Sequence, residues 1–97
     1  MEIENKVIVV TGGSGGIGKA LSTSFIHENA KVVIVLDINF DHSVLKSNKL
    51  IPIVCDVTNE KHLTRIIDNI NLEFGLIDIF CSNAGILSLG NEQTPIE

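Results

Sequence analysis

Short runs of β-branched and other apolar residues recur along the chain, separated by segments with a helical period. The runs cover residues 6–11, 31–36, 50–55 and 76–81. The first two are continuous rather than alternating, which is typical of strands buried on both faces of a parallel sheet. Pro52 lies inside the third run. Because proline cannot donate to a ladder, we predict that this strand lies at an edge of the sheet.

Two segments between these runs predict amphipathic helices. The first lies between runs one and two, and Asn29 is a suitable residue to end it. The second starts from Asn59 and reaches Gly75, a natural helix terminator. The apolar stripes are Ile17, Leu21, Phe25 and Ile26 in the first helix and Leu63, Ile66, Ile67, Ile70 and Phe74 in the second. Residues 41–49 are polar, with room for only a short helix, and after Gly85 the sequence turns polar and irregular, with no further strand predicted.

The alternation of strands and helices predicts an α/β fold. We expect a Rossmann-type parallel sheet of about four strands with helices on both faces and right-handed crossovers. Four strands are too few to complete a doubly wound sheet, so residues 1–97 are interpreted as one truncated domain. The outer edge of the fourth strand would then be unpaired, unless the rest of the protein or a protein partner covers it.

Composition and charge narrow the function classes. The chain has 97 residues, 44% of them hydrophobic and 20% charged, which is typical of a globular protein. Its net charge of −5, with no basic cluster, argues against a nucleic-acid or anionic-membrane partner. The first residues lack the basic start of a signal peptide, and no apolar run approaches the length of a membrane span. We therefore expect a soluble, cytoplasmic protein.

The two cysteines, Cys55 and Cys81, lie in or beside apolar runs, without a CxxC pairing or a nearby histidine. This pattern favours buried thiols over a disulfide or a metal site.

A glycine-rich turn lies between the first strand and the first helix. Its glycines are Gly12, Gly13, Gly15, Gly16 and Gly18. The first N–H groups of a helix have no intrahelical partners and the helix dipole is positive there, so main chain alone can hold a pyrophosphate. A Cβ would obstruct both the tight turn and the approach of the phosphate. A merely flexible loop is the alternative.

The same glycines permit a second interpretation. Residues 13–19 have the G-x-x-x-x-G-K spacing of the phosphate loop of nucleoside triphosphatases, with Asp37 as a possible magnesium ligand. The position that should offer a hydroxyl to magnesium is Ala20, which has none. This interpretation is therefore disfavoured.

Asp37 closes the second strand, about twenty residues beyond the glycine turn, where a carboxylate can accept hydrogen bonds from ribose hydroxyls. A 2′-phosphate about 4 Å away would be repelled by roughly 1 kcal/mol per charge pair in water and ~4 kcal/mol at an effective dielectric of 20. The residue therefore favours NAD over NADP, although an ordinary turn carboxylate would need no function.

These features occur in an ordered series of strand-end motifs. The series is Thr11-Gly12-x-x-x-Gly16-Ile17-Gly18, then Asp37, then Asp56-Val57, and finally Asn83-Ala84-Gly85. It resembles the signature of the short-chain dehydrogenase/reductase family. The resemblance extends from about residue 6 to residue 85, which is the first half or less of a full family member.

The resemblance implies a set of cofactor-binding residues. Asp56, which the resemblance places at the adenine, could instead only cap the approach to the helix that starts from Asn59. Gly15 stands where NADP-preferring relatives often carry a basic residue, which agrees with the NAD preference inferred from Asp37. The implied residues are Gly12, Ser14, Gly16, Ile17 and Gly18 around the pyrophosphate, Asp37 and Ile38 at the adenosine ribose, Asp56 and Val57 at the adenine, and Asn83, Ala84 and Gly85 beneath the nicotinamide ribose.

Two departures from the family pattern differ in weight. Ser82 replaces the first asparagine of the usual Asn-Asn-Ala-Gly, a small change because Asn83 is retained. The family's catalysis uses a tyrosine with a lysine four residues on, and the chain has no tyrosine. We therefore expect the NAD-binding portion of an oxidoreductase for an alcohol or carbonyl substrate, inactive by itself. The alternative is a non-catalytic truncated paralogue that acts as a nucleotide- or partner-binding module.

Overall fold

The computed structural model describes residues 2–12, 16–38, 47–82 and 85–88. These residues form one five-stranded sheet and two helices. The strands are β1 (Val7–Thr11), β2 (Val32–Asp37), β3 (Leu50–Val54), β4 (Ile79–Ser82) and β5 (Gly85–Ser88), and the helices are α1 (Gly16–His27) and α2 (Glu60–Phe74).

The sheet has the strand order β3-β2-β1-β4-β5. The first four of these strands are parallel to one another, and β5 is antiparallel to β4. The predicted Rossmann-type arrangement is confirmed. β3 lies at one edge of the sheet, as predicted from Pro52. At an edge, the N–H that proline lacks is not needed to bond a further strand.

Each face of the sheet carries its own apolar core. On one face Val9, Ile34 and Leu36 belong to a cluster that includes Ile66 and Ile70 of α2. The opposite cluster is formed by Ile8, Val10, Val33 and Val35 with Phe25 of α1. Alternate residues of β1 and β2 therefore point into different layers, and nearly all are buried. The first two apolar runs thus correspond to strands covered on both sides, as predicted.

Helix α1 ends through a left-handed residue. Asn29 has φ 67°, its N–H donates to the carbonyl of Ile26 (3.1 Å), and the N–H of Ala30 donates to the carbonyl of Phe25 (3.1 Å). These two bonds are those of a Schellman motif, in which the residue at the left-handed position is usually glycine and sometimes asparagine. The predicted end of the helix is confirmed.

Helix α2 is fixed at both ends. The Asn59 side chain accepts from the N–H of His62 (3.1 Å) and caps the first turn. Gly75 follows the last turn with φ 100°, and its N–H donates to the carbonyl of Asn71 (3.2 Å). The Lys31 ammonium donates to the carbonyl of Phe74 (2.9 Å), which is favourable at the negative end of a helix dipole. Both predicted termini are confirmed.

The fourth strand starts later than the apolar run that predicted it. Leu76 is 70% exposed, and the ladder of β4 begins only at Ile79. Just before β4, Asp78 bonds to both main-chain polar groups of Val7. Its Oδ2 accepts from the Val7 N–H (2.8 Å), and its own N–H donates to the Val7 carbonyl (2.8 Å). A carboxylate therefore occupies the place of a backbone acceptor at the start of β1.

The expectation of no strand after residue 85, and of an unpaired outer edge on β4, was wrong. Gly85–Ser88 forms β5 and pairs with β4 in the register Ser82↔Gly85 to Ile79↔Ser88. Because Ser82 pairs with Gly85, only two residues connect the strands. The unpaired edge of β4 is a template to which a short segment with an apolar Ile-Leu pair can add as a strand. We did not predict β5 because the sequence around this pair is polar.

Three further expectations have different outcomes. Cys55 and Cys81 are free and buried, as predicted, and burial raises the pKa of both thiols. In the part of the chain that the structure describes, neither helix is long and apolar enough to cross a membrane. The short helix considered for residues 41–49 lies mostly outside the described residues.

Candidate functional site

The carboxyl ends of the four parallel strands meet at one edge of the sheet. Thr11 pairs with Leu36, so the residues that follow them, Gly12 and Asp37, are neighbours. The N–H of Gly12 donates to the carbonyl of Leu36 (2.8 Å), and the N–H of Cys55 donates to that of Asp37 (2.8 Å). The ladder therefore brings the ends of β1, β2 and β3, and the predicted motifs on them, to a common edge, where ligands of open α/β sheets bind.

The turn after β1 leads to the positive end of α1. Gly12 has φ 68°, a conformation that costs other residues roughly 1–2 kcal/mol. Gly16 begins α1, whose first turn contains no acidic side chain. Gly18 is buried, and its carbonyl accepts from the Ser22 hydroxyl (2.8 Å). Main-chain N–H groups and the helix dipole can therefore attract an anion here, with no carboxylate in that turn to oppose it.

Asp37 and Ile38 lie at the end of β2. The Asp37 Oδ1 accepts from the N–H of Ile38 (2.7 Å), which orients the carboxylate at the sheet edge. Asp37 is half-buried, whereas the Ile38 side chain is 59% exposed. A hydrogen-bond acceptor and an accessible apolar surface are therefore adjacent.

Asp56 and Val57 follow β3. The Asp56 Oδ1 accepts from both the N–H (2.9 Å) and the hydroxyl (2.6 Å) of Thr58. These bonds hold the pKa of Asp56 below its ordinary value, against an opposing effect of desolvation, and His62 adds a smaller lowering. Val57 is 41% exposed. Asp56 therefore does shape the approach to α2, as the alternative interpretation held, and it remains an ionised, accessible acceptor.

The structure places the predicted residues unevenly. Ser14, Asn83 and Ala84 lie outside the described residues. Ile17 lies in the first turn of α1. Gly85 belongs to β5 rather than to an open loop after β4.

One residue of this edge was included in the motif but given no role. Thr11 is buried, and its hydroxyl donates to the carbonyl of Cys81 in β4 (3.4 Å). It connects the carboxyl ends of β1 and β4 beside the glycine turn. A hydroxyl residue that closes an otherwise apolar strand is the signal that could have indicated this.

Comparison with known proteins decides the family. The family model described as short chain dehydrogenase matches residues 6–96. This chain belongs to the short-chain dehydrogenase family. Secoisolariciresinol dehydrogenase of Forsythia intermedia is 39% identical over 88 residues, which are 87% of this chain and 32% of that protein. Tropinone reductase-like 2 of Erythroxylum coca is 36% identical over 89 residues, 88% of this chain and 32% of that protein.

Solved structures of two dehydrogenases share the fold. A short chain dehydrogenase from Leptospira borgpetersenii, solved with bound NAD+, is 34% identical with a TM-score of 0.73, covering 81% of this chain and 31% of that one. The ligand-free aldohexose dehydrogenase of Thermoplasma acidophilum is 38% identical with a TM-score of 0.72, covering 95% and 34%. The chain thus spans about a third of the length of these relatives.

Proposed function

We propose that this chain is the NAD-binding segment of a short-chain dehydrogenase, an oxidoreductase that acts on an alcohol or carbonyl substrate. The observation that carries the proposal is the meeting of three strand-end motifs at one edge of the sheet. There Gly12, the Asp37 carboxylate and the Asp56 carboxylate lie at the ends of adjacent parallel strands. The NAD+ bound to the structural relative from Leptospira borgpetersenii supports a nicotinamide dinucleotide as the ligand.

The chemistry of this edge fits the parts of such a cofactor. The N-terminal turn of α1 would hold the pyrophosphate through main-chain N–H groups. Asp37 would accept from the adenosine ribose hydroxyls, with Ile38 beside them. Asp56 and Val57 would contact the adenine, and residues 83–85 the nicotinamide ribose. When bound, the nicotinamide supplies hydride transfer.

NAD rather than NADP is the proposed form because of Asp37. The N–H of Ile38 orients the Asp37 carboxylate at the end of β2, where the family resemblance implies the adenosine ribose. A 2′-phosphate placed there would bring two like charges together, whereas a 2′-hydroxyl would donate a hydrogen bond.

Catalysis and substrate choice would need residues beyond these 97, because the chain contains no tyrosine for the acid/base step that the family resemblance implies. We propose that the segment contributes cofactor binding to a larger unit, supplied either by the same polypeptide or by a protein partner. A unit that extends the sheet past β4 would have to displace β5, which pairs with that edge. A cytoplasmic location belongs to the same proposal, supported by two free, buried cysteines.

The kinship supports this function over a stand-alone partner-binding module. It also counts against the phosphate-loop alternative. A phosphate loop would need a hydroxyl residue at position 20 to bind magnesium. That position is Ala20, which is exposed in the second turn of α1.

Calorimetric titration of the purified chain with NAD tests the proposal. We expect saturable binding without magnesium. Gly16→Asp should abolish it, because a carboxylate in the first turn of α1 is compatible with the helix dipole but repels a pyrophosphate. Ser24→Asp adds the same charge to the exposed face of α1 two turns further on and should leave the dissociation constant unchanged. A folded wild-type chain that binds no NAD would refute the proposal, as would magnesium-dependent binding of ATP instead.

A further inference from the structure

Thr58, which follows the proposed adenine contacts, makes two hydrogen bonds to the Asp56 carboxylate. Thr58 donates twice to the same oxygen of Asp56, from its N–H (2.9 Å) and from its hydroxyl (2.6 Å). The Asp56 carboxylate lies at the surface, at the carboxyl end of β3. The hydroxyl bond is therefore made by two exposed side chains, where water could satisfy both groups equally well.

The local fold does not need this hydroxyl. The turn is already closed by the N–H of Asn59, which donates to the Asp56 carbonyl (3.0 Å). The start of α2 is capped by the Asn59 side chain, which accepts from the N–H of His62 (3.1 Å). The backbone N–H of Thr58 would reach Asp56 whatever the side chain at position 58. What the hydroxyl adds is a second direction of restraint on the carboxylate.

A restrained carboxylate presents its second oxygen in a fixed direction. The terminal torsion of an aspartate is broad, so a single donor leaves the group free to rotate over a wide range. Two donors on Oδ1 narrow that range and leave the lone pairs of Oδ2 directed away from Thr58. Among the described residues, none donates a hydrogen bond to Oδ2.

We propose that Thr58 is a positioning residue of the adenine site, whose hydroxyl holds the Asp56 carboxylate in the orientation that accepts from the exocyclic amino group of the base. This inference rests on the proposed function. It goes beyond it by assigning a specificity role to a side chain that does not itself touch the ligand. The lowered pKa of Asp56 has the direction expected when the Thr58 donors stabilise the ionised, accepting form of the carboxylate.

Three variants separate this role from a structural one. Thr58→Val removes the hydroxyl but keeps the side-chain shape and the backbone N–H. Thr58→Ser keeps the hydroxyl and should restore the wild-type behaviour. Thr64→Val makes the same chemical change at an exposed position in the second turn of α2 and serves as the matched control.

The measurement is the ratio of two dissociation constants, for nicotinamide hypoxanthine dinucleotide and for NAD. The first ligand replaces the adenine amino group by a carbonyl oxygen, which cannot donate to a carboxylate. We expect wild type, Thr58→Ser and Thr64→Val to prefer NAD by about tenfold, the effect of one hydrogen bond to a charged acceptor. In Thr58→Val the ratio should fall to about threefold or less. Partial unfolding would raise both apparent dissociation constants by the same factor, so it would leave their ratio unchanged.

The outcomes are distinguishable. A tenfold ratio that persists in Thr58→Val would overturn the inference and leave the proposed function standing. Equal binding of both ligands by wild type would also overturn the inference and leave the proposed function standing, because Asp56 would then not accept from the amino group. A folded wild-type chain that binds neither ligand would overturn the proposed function, and this inference with it.

Discussion

Replacing Asp37 by asparagine should change cofactor preference with little change of structure. The asparagine amide has the same shape, and its oxygen can still accept from the N–H of Ile38, as the Asp37 Oδ1 does at 2.7 Å. The carbonyl of Asp37 would still accept from the N–H of Cys55. The substitution therefore removes a charge and leaves the end of β2 intact.

The degree of burial of Asp37 sets the expected magnitude. The side chain is half-buried, so the effective dielectric lies toward the aqueous limit rather than that of a protein interior. At a separation of about 4 Å, dielectrics of roughly 80 to 40 give about 1–2 kcal/mol of repulsion per charge pair, or about five- to thirtyfold in affinity. NADP should bind Asp37→Asn more tightly by that factor. NAD should bind it more weakly, because a neutral amide is a poorer acceptor for ribose hydroxyls.

Calorimetric titration of wild type and Asp37→Asn with both cofactors measures these changes. Asp68→Asn removes a carboxylate from the exposed face of α2, away from the strand ends, and should change neither dissociation constant. Equal NADP affinity in wild type and Asp37→Asn would refute the reasoning, because the charge at position 37 would then not face the 2′ position.

Three other predictions follow from single contacts. Asp78→Ala should lower the free energy of unfolding by about 1–3 kcal/mol in urea titrations, because the N–H of buried Val7 loses its acceptor, whereas Asp78→Asn should cost less. Asn29→Val should lower the same free energy by roughly 1–2 kcal/mol, because a β-branched residue is strained at φ 67°, and Asn29→Gly should not lower it. The pKa of Asp56, followed by NMR, should lie below its ordinary value and rise in Thr58→Val. Because the folded pKa is the lower one, the stabilisation from this group is present above the unfolded pKa and is lost as the pH falls through the folded value.

Much of the fold was predictable because local chemistry and the global sheet agree. Continuous apolar runs at residues 6–11 and 31–36 can be buried only on both faces, which requires a layer of helices on each side. Pro52 indicated that β3 lies at an edge, and Asn29 and Gly75 end their helices where a residue with positive φ is required.

The misses arose where pairing depends on a neighbour in space. Leu76 and Ile77 belong to an apolar run, but the ladder of β4 starts only at Ile79. Before it, the Asp78 carboxylate accepts a hydrogen bond from the N–H of Val7. No pattern within the run reveals that partner, 71 residues away. β5 was missed for a similar reason, because four residues become a strand only when an open edge such as that of β4 lies beside them.

The motifs named the residues of the candidate site but did not specify its geometry. The motifs indicated which strand ends carry polar groups, and the parallel ladder brings Gly12, Asp37 and Asp56 to one edge. The hydrogen bonds from Thr58 that orient Asp56 are side-chain geometry, which spacing alone does not specify.

The most direct test of the central claim is a titration of the isotope-labelled chain with NAD, followed by the backbone amide resonances. The account predicts saturable shifts concentrated at the carboxyl edge, at Gly12, Ile38 and Val57, with little change at Asn5 and Asp78 on the opposite edge. A well-dispersed spectrum of the folded chain that NAD leaves unchanged, or shifts centred on Asn5 and Asp78, would contradict it.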